Sequence, residues 1–156
     1  MLEFLGTLGT SVIGGASTGL VGLYILSLTN KYSDTRKIID NTLSELEQLT
    51  DRCAKVASEV WEKPGEGADS LNVKEVTCLL HEINVFASFI TDRVKNTKIR
   101  VNPALLNFRR ATSGDNFDVK GRPADPSRTL AIRSRASELK IAFRTVGYER
   151  NSFRLW

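Results

Sequence analysis

The first thirty residues constrain this chain more than any other segment. From Phe4 to Asn30 there are 27 consecutive residues without a charged side chain, and the basic residues Lys31 and Arg36 follow directly. At about 1.5 Å of rise per residue, a helix from Phe4 to Leu28 is long enough to cross a bilayer core of about 30 Å. The sequence therefore predicts one transmembrane helix over residues 1–30.

Two other interpretations of this segment, a cleaved signal peptide and a buried core helix, fit less well. The chain lacks a basic start and an Ala-x-Ala-like exit before Lys31, and 27 uncharged residues exceed what a core helix needs. Basic residues near a span tend to stay in the cytoplasm, and all of those nearby lie on its C-terminal side. We expect a single-pass protein of the cell inner membrane, with the N-terminus outside, the C-terminus in the cytoplasm and the lipid bilayer as one partner.

Small residues recur every four positions along two stripes of this segment. One stripe is Thr7, Ser11, Gly15 and Gly19, and the other is Thr10, Gly14, Thr18 and Gly22. Helices in lipid associate through close backbone approach, which small side chains permit. The pattern predicts a homo-oligomer whose contact residues include Ser11, Gly14, Gly15, Gly19 and Gly22.

Charge divides the remaining cytosolic domain, residues 31–156, into two unlike parts. Residues 31–92 carry 7 Lys and Arg against 12 Asp and Glu, whereas residues 93–156 carry 15 against 5. We interpret residues 31–96 as an acidic helical hairpin and residues 97–156 as a small basic subdomain.

The spacing of the apolar residues predicts a mainly α fold class. In the acidic part, apolar residues recur at helical spacing from about Ser33 to Glu62 and again from about Asn72 to Asn96. Pro64, Gly65 and Gly67 separate these segments, which predicts two antiparallel helices joined by a loop.

The basic part predicts two further helices and a long loop. A short helix over Pro103–Arg110 precedes a loop over residues 113–127, which is rich in glycine and proline. Asp125 and Pro126 then resemble the start of a helix that ends near Gly147. The alternation of Ile141, Phe143 and Thr145 with polar residues leaves a strand hairpin open as the alternative.

The sequence lacks the motifs of phosphate loops, nucleophile elbows and dinucleotide sites, so we expect no enzyme and no cofactor. The single histidine, His81, lies between Leu80 and Ile83 and has no metal-ligand spacing around it, so we interpret it as structural. Cys53 and Cys78 fall among helical apolar positions, which favours buried, reduced thiols.

Arginine dominates the basic part, and its planar guanidinium binds phosphate in a bidentate manner. We therefore expect binding of an anionic nucleotide or RNA. The candidate ligand-binding residues are Arg109, Arg110, Arg122, Arg133, Arg135, Lys140 and Arg144. Two alternatives stay open: pairing with acidic residues of a helical stalk such as Glu45, Glu47 and Asp51, and attraction to the anionic inner leaflet.

One N-terminal span followed by a small basic domain without catalytic motifs resembles the membrane-anchored effectors of CRISPR antiphage systems, which are gated by cyclic oligoadenylate. The resemblance implies an oligomer whose cytosolic domain binds a cyclic nucleotide and couples that binding to membrane perturbation in antiviral defence. The alternatives are a non-gating tether or scaffold that recruits a nucleic acid or protein partner, and a holin-like pore former.

Overall fold

The computed structural model describes residues 35–114 and 116–152, with side chains up to residue 148. Within these residues the protein consists of four helices and no strands. Helix α1 covers residues 35–61, α2 Leu71–Arg93, α3 Lys98–Ser113 and α4 Ser127–Ser152. The mainly α fold class is confirmed, and the last element is a helix rather than a strand hairpin.

From Asp40 onward the described residues form one compact unit. Arg52 of α1 pairs with Glu75 of α2, and Lys140 of α4 pairs with Asp51 of α1. Helix α3 packs against both α2 and α4. The ion pairs of Asp51 with Lys140 and of Glu47 with Arg144 run in opposite directions along α1 and α4. The short connection over residues 94–97 reverses the chain between α2 and α3, and the arrangement is an up-down-up-down four-helix bundle.

Each helix contributes one buried stripe to the bundle core. The buried positions follow the alternating spacing of three and four residues that places side chains on one helix face. They include Leu46, Thr50, Cys53, Ala57 and Val60 of α1; Val73, Val76, Leu80, Ile83, Ala87 and Ile90 of α2; Val101, Leu105, Phe108 and Thr112 of α3; and Ile132, Ala136, Leu139, Phe143 and Val146 of α4.

Two threonines are tolerated in this core because their hydroxyls are satisfied within their own helices. Thr50 Oγ1 donates to the Leu46 carbonyl at 2.7 Å, and Thr112 Oγ1 donates to the Phe108 carbonyl at 3.0 Å. Burying a hydroxyl without a partner costs about 1–3 kcal/mol, which these bonds offset.

Helices α3 and α4 are longer than their sequence patterns predict. Pro103 lies inside α3 rather than at its start, and Gly147 lies inside α4 rather than at its end. Because Pro103 has no N–H, it removes the hydrogen bond that the Ile99 carbonyl would otherwise accept, and it does so near the start of α3, where Ile99 is largely exposed. A glycine within a helix costs only about 1 kcal/mol, which the surrounding packing outweighs.

The predicted single-pass location in the inner membrane is contradicted. Among the residues that the structure describes, none of the helices has the length and apolar character needed to cross a membrane. The reason is that each carries charged side chains outside its one buried stripe. The segment Phe4–Leu28, the domain boundary at residue 30 and the predicted oligomer contacts Ser11, Gly14, Gly15, Gly19 and Gly22 lie outside the described residues.

Candidate functional site

One end of the bundle is organised around Trp61, the last residue of α1. The indole Nε1 donates to the Thr112 carbonyl at 2.8 Å, and the guanidinium carbons of Arg122 and Arg128 lie 3.9 and 4.0 Å from the centroid of the indole ring. Phe117 packs beside the same ring at 6.0 Å. Two of the arginines in the basic part therefore bind an aromatic side chain of the acidic part.

Both arginines also bind carbonyls at the C-terminal ends of helices. Arg122 donates to the Val60 carbonyl at 2.9 Å, and Arg128 donates to the Arg110 and Ala111 carbonyls at 3.1 and 3.2 Å. The Arg110 carbonyl also accepts the Gly114 N–H at 3.1 Å. All three carbonyls lie in the last turn of a helix, at the negative end of its dipole, so a cation there is stabilising.

Arg122 is committed to the fold, which argues against its predicted role in ligand binding. Only 5% of the residue is exposed, and the guanidinium also donates to the Pro123 carbonyl at 3.0 Å. Burial, followed by repulsion from Arg128, lowers the pKa of Arg122 from its ordinary value.

Three more of the predicted residues take part in ion pairs within the chain. Lys140 Nζ lies 2.6 Å from Asp51 Oδ1, and Arg144 binds both carboxylate oxygens of Glu47 at 2.8 and 2.9 Å. Arg135 pairs with Glu138 on its own helix at 2.7 Å. The hydrogen bond with Glu47 raises the pKa of Arg144. Internal pairing, the alternative from the sequence, therefore accounts for these two contacts between α4 and α1.

Arg109, Arg110 and Arg133 remain, and the structure does not bring them together. Their guanidinium groups make no hydrogen bond or ion pair with the described part of the chain. Arg109 and Arg133 line two separate grooves, whereas Arg110 is exposed on α3 and lines neither of them.

The Arg133 groove lies between α1 and α4 and encloses about 470 Å³. Ala54, Ser58 and Ala136 are among the residues that line it. The charged residues around it are three acids, Asp51, Glu59 and Glu62, and three bases, Lys55, Arg133 and Lys140. An anion in this groove would face as many carboxylates as cations, so its electrostatics do not favour one.

The Arg109 groove lies between α2 and α3 and encloses about 240 Å³. It is lined by Thr77, Leu80, His81, Asn84, Arg109 and Ser113, and none of these residues is acidic. Positions 77, 81 and 84 recur at helical spacing on α2, opposite positions 109 and 113 on the antiparallel α3. The groove therefore brings a guanidinium, an imidazole and an amide together.

His81 is exposed in this groove and does not lie against the core. The prediction of a structural histidine near the apolar face is therefore wrong. The Thr77 and Ser113 hydroxyls donate to the carbonyls of Val73 and Arg109, each within its own helix. The donors left for a ligand are consequently those of Arg109, His81 and Asn84.

A second opening, the Asp118 groove, adjoins the Arg109 groove and shares Thr77 and Ser113 with it. This groove encloses about 460 Å³, and its other walls are formed by Ala68, Val73, Lys74, Cys78, Phe117 and Asp118. The prediction that both thiols are buried is confirmed for Cys53 and wrong for Cys78, which is an exposed free thiol. Among the described residues no group of three His, Cys, Asp or Glu side chains is placed to hold a metal ion.

Comparison with protein families, with curated proteins and with solved structures finds no match to this chain. A function must therefore be inferred from the geometry of the grooves and from the charges that line them.

His81 and Asn84 are the residues of the Arg109 groove that the charge pattern missed. The available signal was the polar stripe Thr77, His81 and Asn84, at spacings of four and three residues on α2. A polar stripe alone is typical of any solvated helix face. Only the packing of α2 against α3 shows that this stripe faces Arg109 in a groove.

Proposed function

We propose that this bundle is a binding module, not an enzyme, that binds a phosphate-bearing ligand of the nucleotide class in the Arg109 groove. One observation carries the proposal: Arg109 lies in a groove with His81 and no carboxylate, and its guanidinium has no partner in the described part of the chain. We choose a nucleotide among phosphate-bearing ligands because the small, arginine-rich basic domain without catalytic motifs is the part of the proposed resemblance to nucleotide-gated antiphage effectors that does not depend on a membrane span.

The chemistry of the groove supports an anionic ligand. A guanidinium matches two phosphate oxygens with two parallel N–H donors, and such charge-assisted bonds are roughly twice as strong as neutral ones. The Asn84 amide adds neutral donors on the facing helix, and the His81 imidazole adds one more. The Arg133 groove is larger, but its three carboxylates oppose the same ligand.

The test is a calorimetric titration of the full chain with adenosine 5′-monophosphate and with a short oligoadenylate. We expect Arg109→Ala to weaken binding about tenfold to a hundredfold, because a hydrogen bond to a charged group contributes about 1.5–3 kcal/mol. Arg110→Ala is the matched control, since it removes the same charge from the next residue outside the groove. Binding should also weaken as salt is raised.

Equal losses in the two variants would show that only net charge matters and would refute the groove. Absence of binding at low salt would favour the second candidate function, a scaffold that recruits a protein partner. That candidate is favoured by the internal engagement of Arg122, Arg135, Lys140 and Arg144, which leaves few arginines for a ligand.

A further inference from the structure

The Arg109 groove continues into the Asp118 groove, and the two have opposite chemistry at their outer ends. At one end stand Arg109 and His81, and at the other stands the carboxylate of Asp118. Asp118 is exposed and makes no hydrogen bond or ion pair with the residues that the structure describes. A ligand that bridges both ends must be anionic at one end and rich in hydrogen-bond donors at the other.

Part of the wall of the Asp118 groove is apolar. Val73 and Phe117 belong to the core and line the Asp118 groove, together with Ala68 from the loop between α1 and α2. Flat aromatic ligands bind in sites of this kind, where apolar walls contact the ring and a few polar groups fix its orientation. From Lys74 to Asn84 the combined groove follows α2 for about 15 Å, at 1.5 Å per residue.

We propose that the combined groove binds a guanine nucleotide, with the phosphate at Arg109 and the guanine edge at Asp118. This proposal rests on the proposed function, which it deepens by naming the base. A carboxylate accepts two parallel N–H bonds, and guanine presents two adjacent donors, N1–H and the 2-amino group, on one edge. Adenine has only its 6-amino group as a donor on the corresponding edge, next to an acceptor nitrogen that a carboxylate repels.

The Asp118 carboxylate also sets the orientation of the ligand. A phosphate placed near it would be repelled, whereas the same phosphate beside Arg109 is attracted. Lys74 does not cancel this effect, because its ammonium group lies 3.2 Å from the carboxylate of Asp69.

The experiment titrates the full chain with guanosine 5′-monophosphate, adenosine 5′-monophosphate and ribose 5-phosphate. We expect the guanine nucleotide to bind about tenfold more tightly than the adenine nucleotide, as expected for one additional bond to a charged acceptor. Asp118→Asn should remove this preference and leave ribose 5-phosphate within twofold. Asp92→Asn, which neutralises a carboxylate paired with Lys98 at the other end of the bundle, is the control and should keep the preference.

The two proposals fail in different ways. If ribose 5-phosphate binds and Arg109→Ala weakens it, but Asp118→Asn leaves the preference for guanine unchanged, the base assignment is refuted and the phosphate site stands. Equal binding of the two nucleotides by the parent protein would likewise refute the base assignment and leave the phosphate site standing. If none of the three ligands binds, both proposals are refuted.

Discussion

The structural role assigned to Arg122 predicts a large loss of stability when its guanidinium is removed. In Arg122→Ala the carbonyls of Val60 and Pro123 lose donors at 2.9 and 3.0 Å, and Trp61 loses a cation over its ring. Hydrogen bonds to a charged group contribute about 1.5–3 kcal/mol each, and a cation–π contact about 0.5–2 kcal/mol.

Part of that gain is offset in the parent protein. The guanidinium is desolvated, and its Nε atom is buried without a partner among the described residues. An unsatisfied buried donor costs about 1–3 kcal/mol, so we expect a net loss of about 3 kcal/mol in the free energy of unfolding. With a urea m-value of about 1.5 kcal/mol per M, the midpoint should fall by about 2 M.

Urea unfolding of the full chain, followed by circular dichroism and by Trp fluorescence, measures this loss. Arg110→Ala is the control, because its exposed guanidinium should change stability by less than about 0.5 kcal/mol. Arg122→Lys keeps the charge but not the planar fork, and it should recover only a minor part of the loss. If Arg122→Ala and Arg110→Ala unfold at the same urea concentration, the assigned role of Arg122 is wrong.

Two further predictions concern glycines and cysteines. Gly65→Ala should destabilise the protein by about 2 kcal/mol in the same urea assay, because the added Cβ would collide with the Val119 carbonyl oxygen. Gly121→Ala, at φ 78° in open space, should cost only about 1 kcal/mol. A larger loss of stability at Gly121 than at Gly65 would contradict this order. Iodoacetamide at about pH 8 should alkylate Cys78 in the folded protein and Cys53 only after unfolding. The reason is that burial raises the pKa of Cys53 to about 12, and the thiolate is the reactive form. Peptide mass spectrometry measures both sites, and rapid modification of Cys53 in the folded state would contradict its burial.

The helices were the predictable part of this fold. Leu80, Ile83 and Phe143 recur at helical spacing with their apolar neighbours, and a periodic stripe of that kind reports the buried face directly. Helix α2 begins one residue before and ends three residues before the predicted bounds, as helix ends commonly do. Helices α3 and α4 extend further than predicted because Pro103 and Gly147 are weak local signals that tertiary packing overrides.

The placement of His81 shows how a periodic pattern can mislead at one position. Leu79 and Leu80 are both buried, whereas His81 is rotated by about 100° from Leu80 and by about 200° from Leu79, which places it off the buried face that these two residues share. Adjacency in sequence to apolar residues is therefore no evidence of burial on a helix.

The partners of the arginines were beyond sequence reasoning because they depend on tertiary register. Lys140 and Arg144 find carboxylates that lie 89 and 97 residues away, and Arg122 binds a carbonyl 62 residues away. The excess of basic residues is compatible with both phosphate binding and internal ion pairs. Only the packing of the helices shows that Arg144 pairs with Glu47, whereas Arg109 stays unpaired among the described residues.

Mapping the binding surface by NMR tests directly whether an anionic ligand binds between α2 and α3. In a titration of the ¹⁵N-labelled full chain with guanosine 5′-monophosphate, we expect the largest shift changes at the backbone amides of His81, Asn84 and Arg109 and at the Asn84 side-chain amide. Shifts confined to Lys55, Arg133 and their neighbours in the Arg133 groove, or spread evenly over all basic residues, would show that the ligand does not bind between α2 and α3.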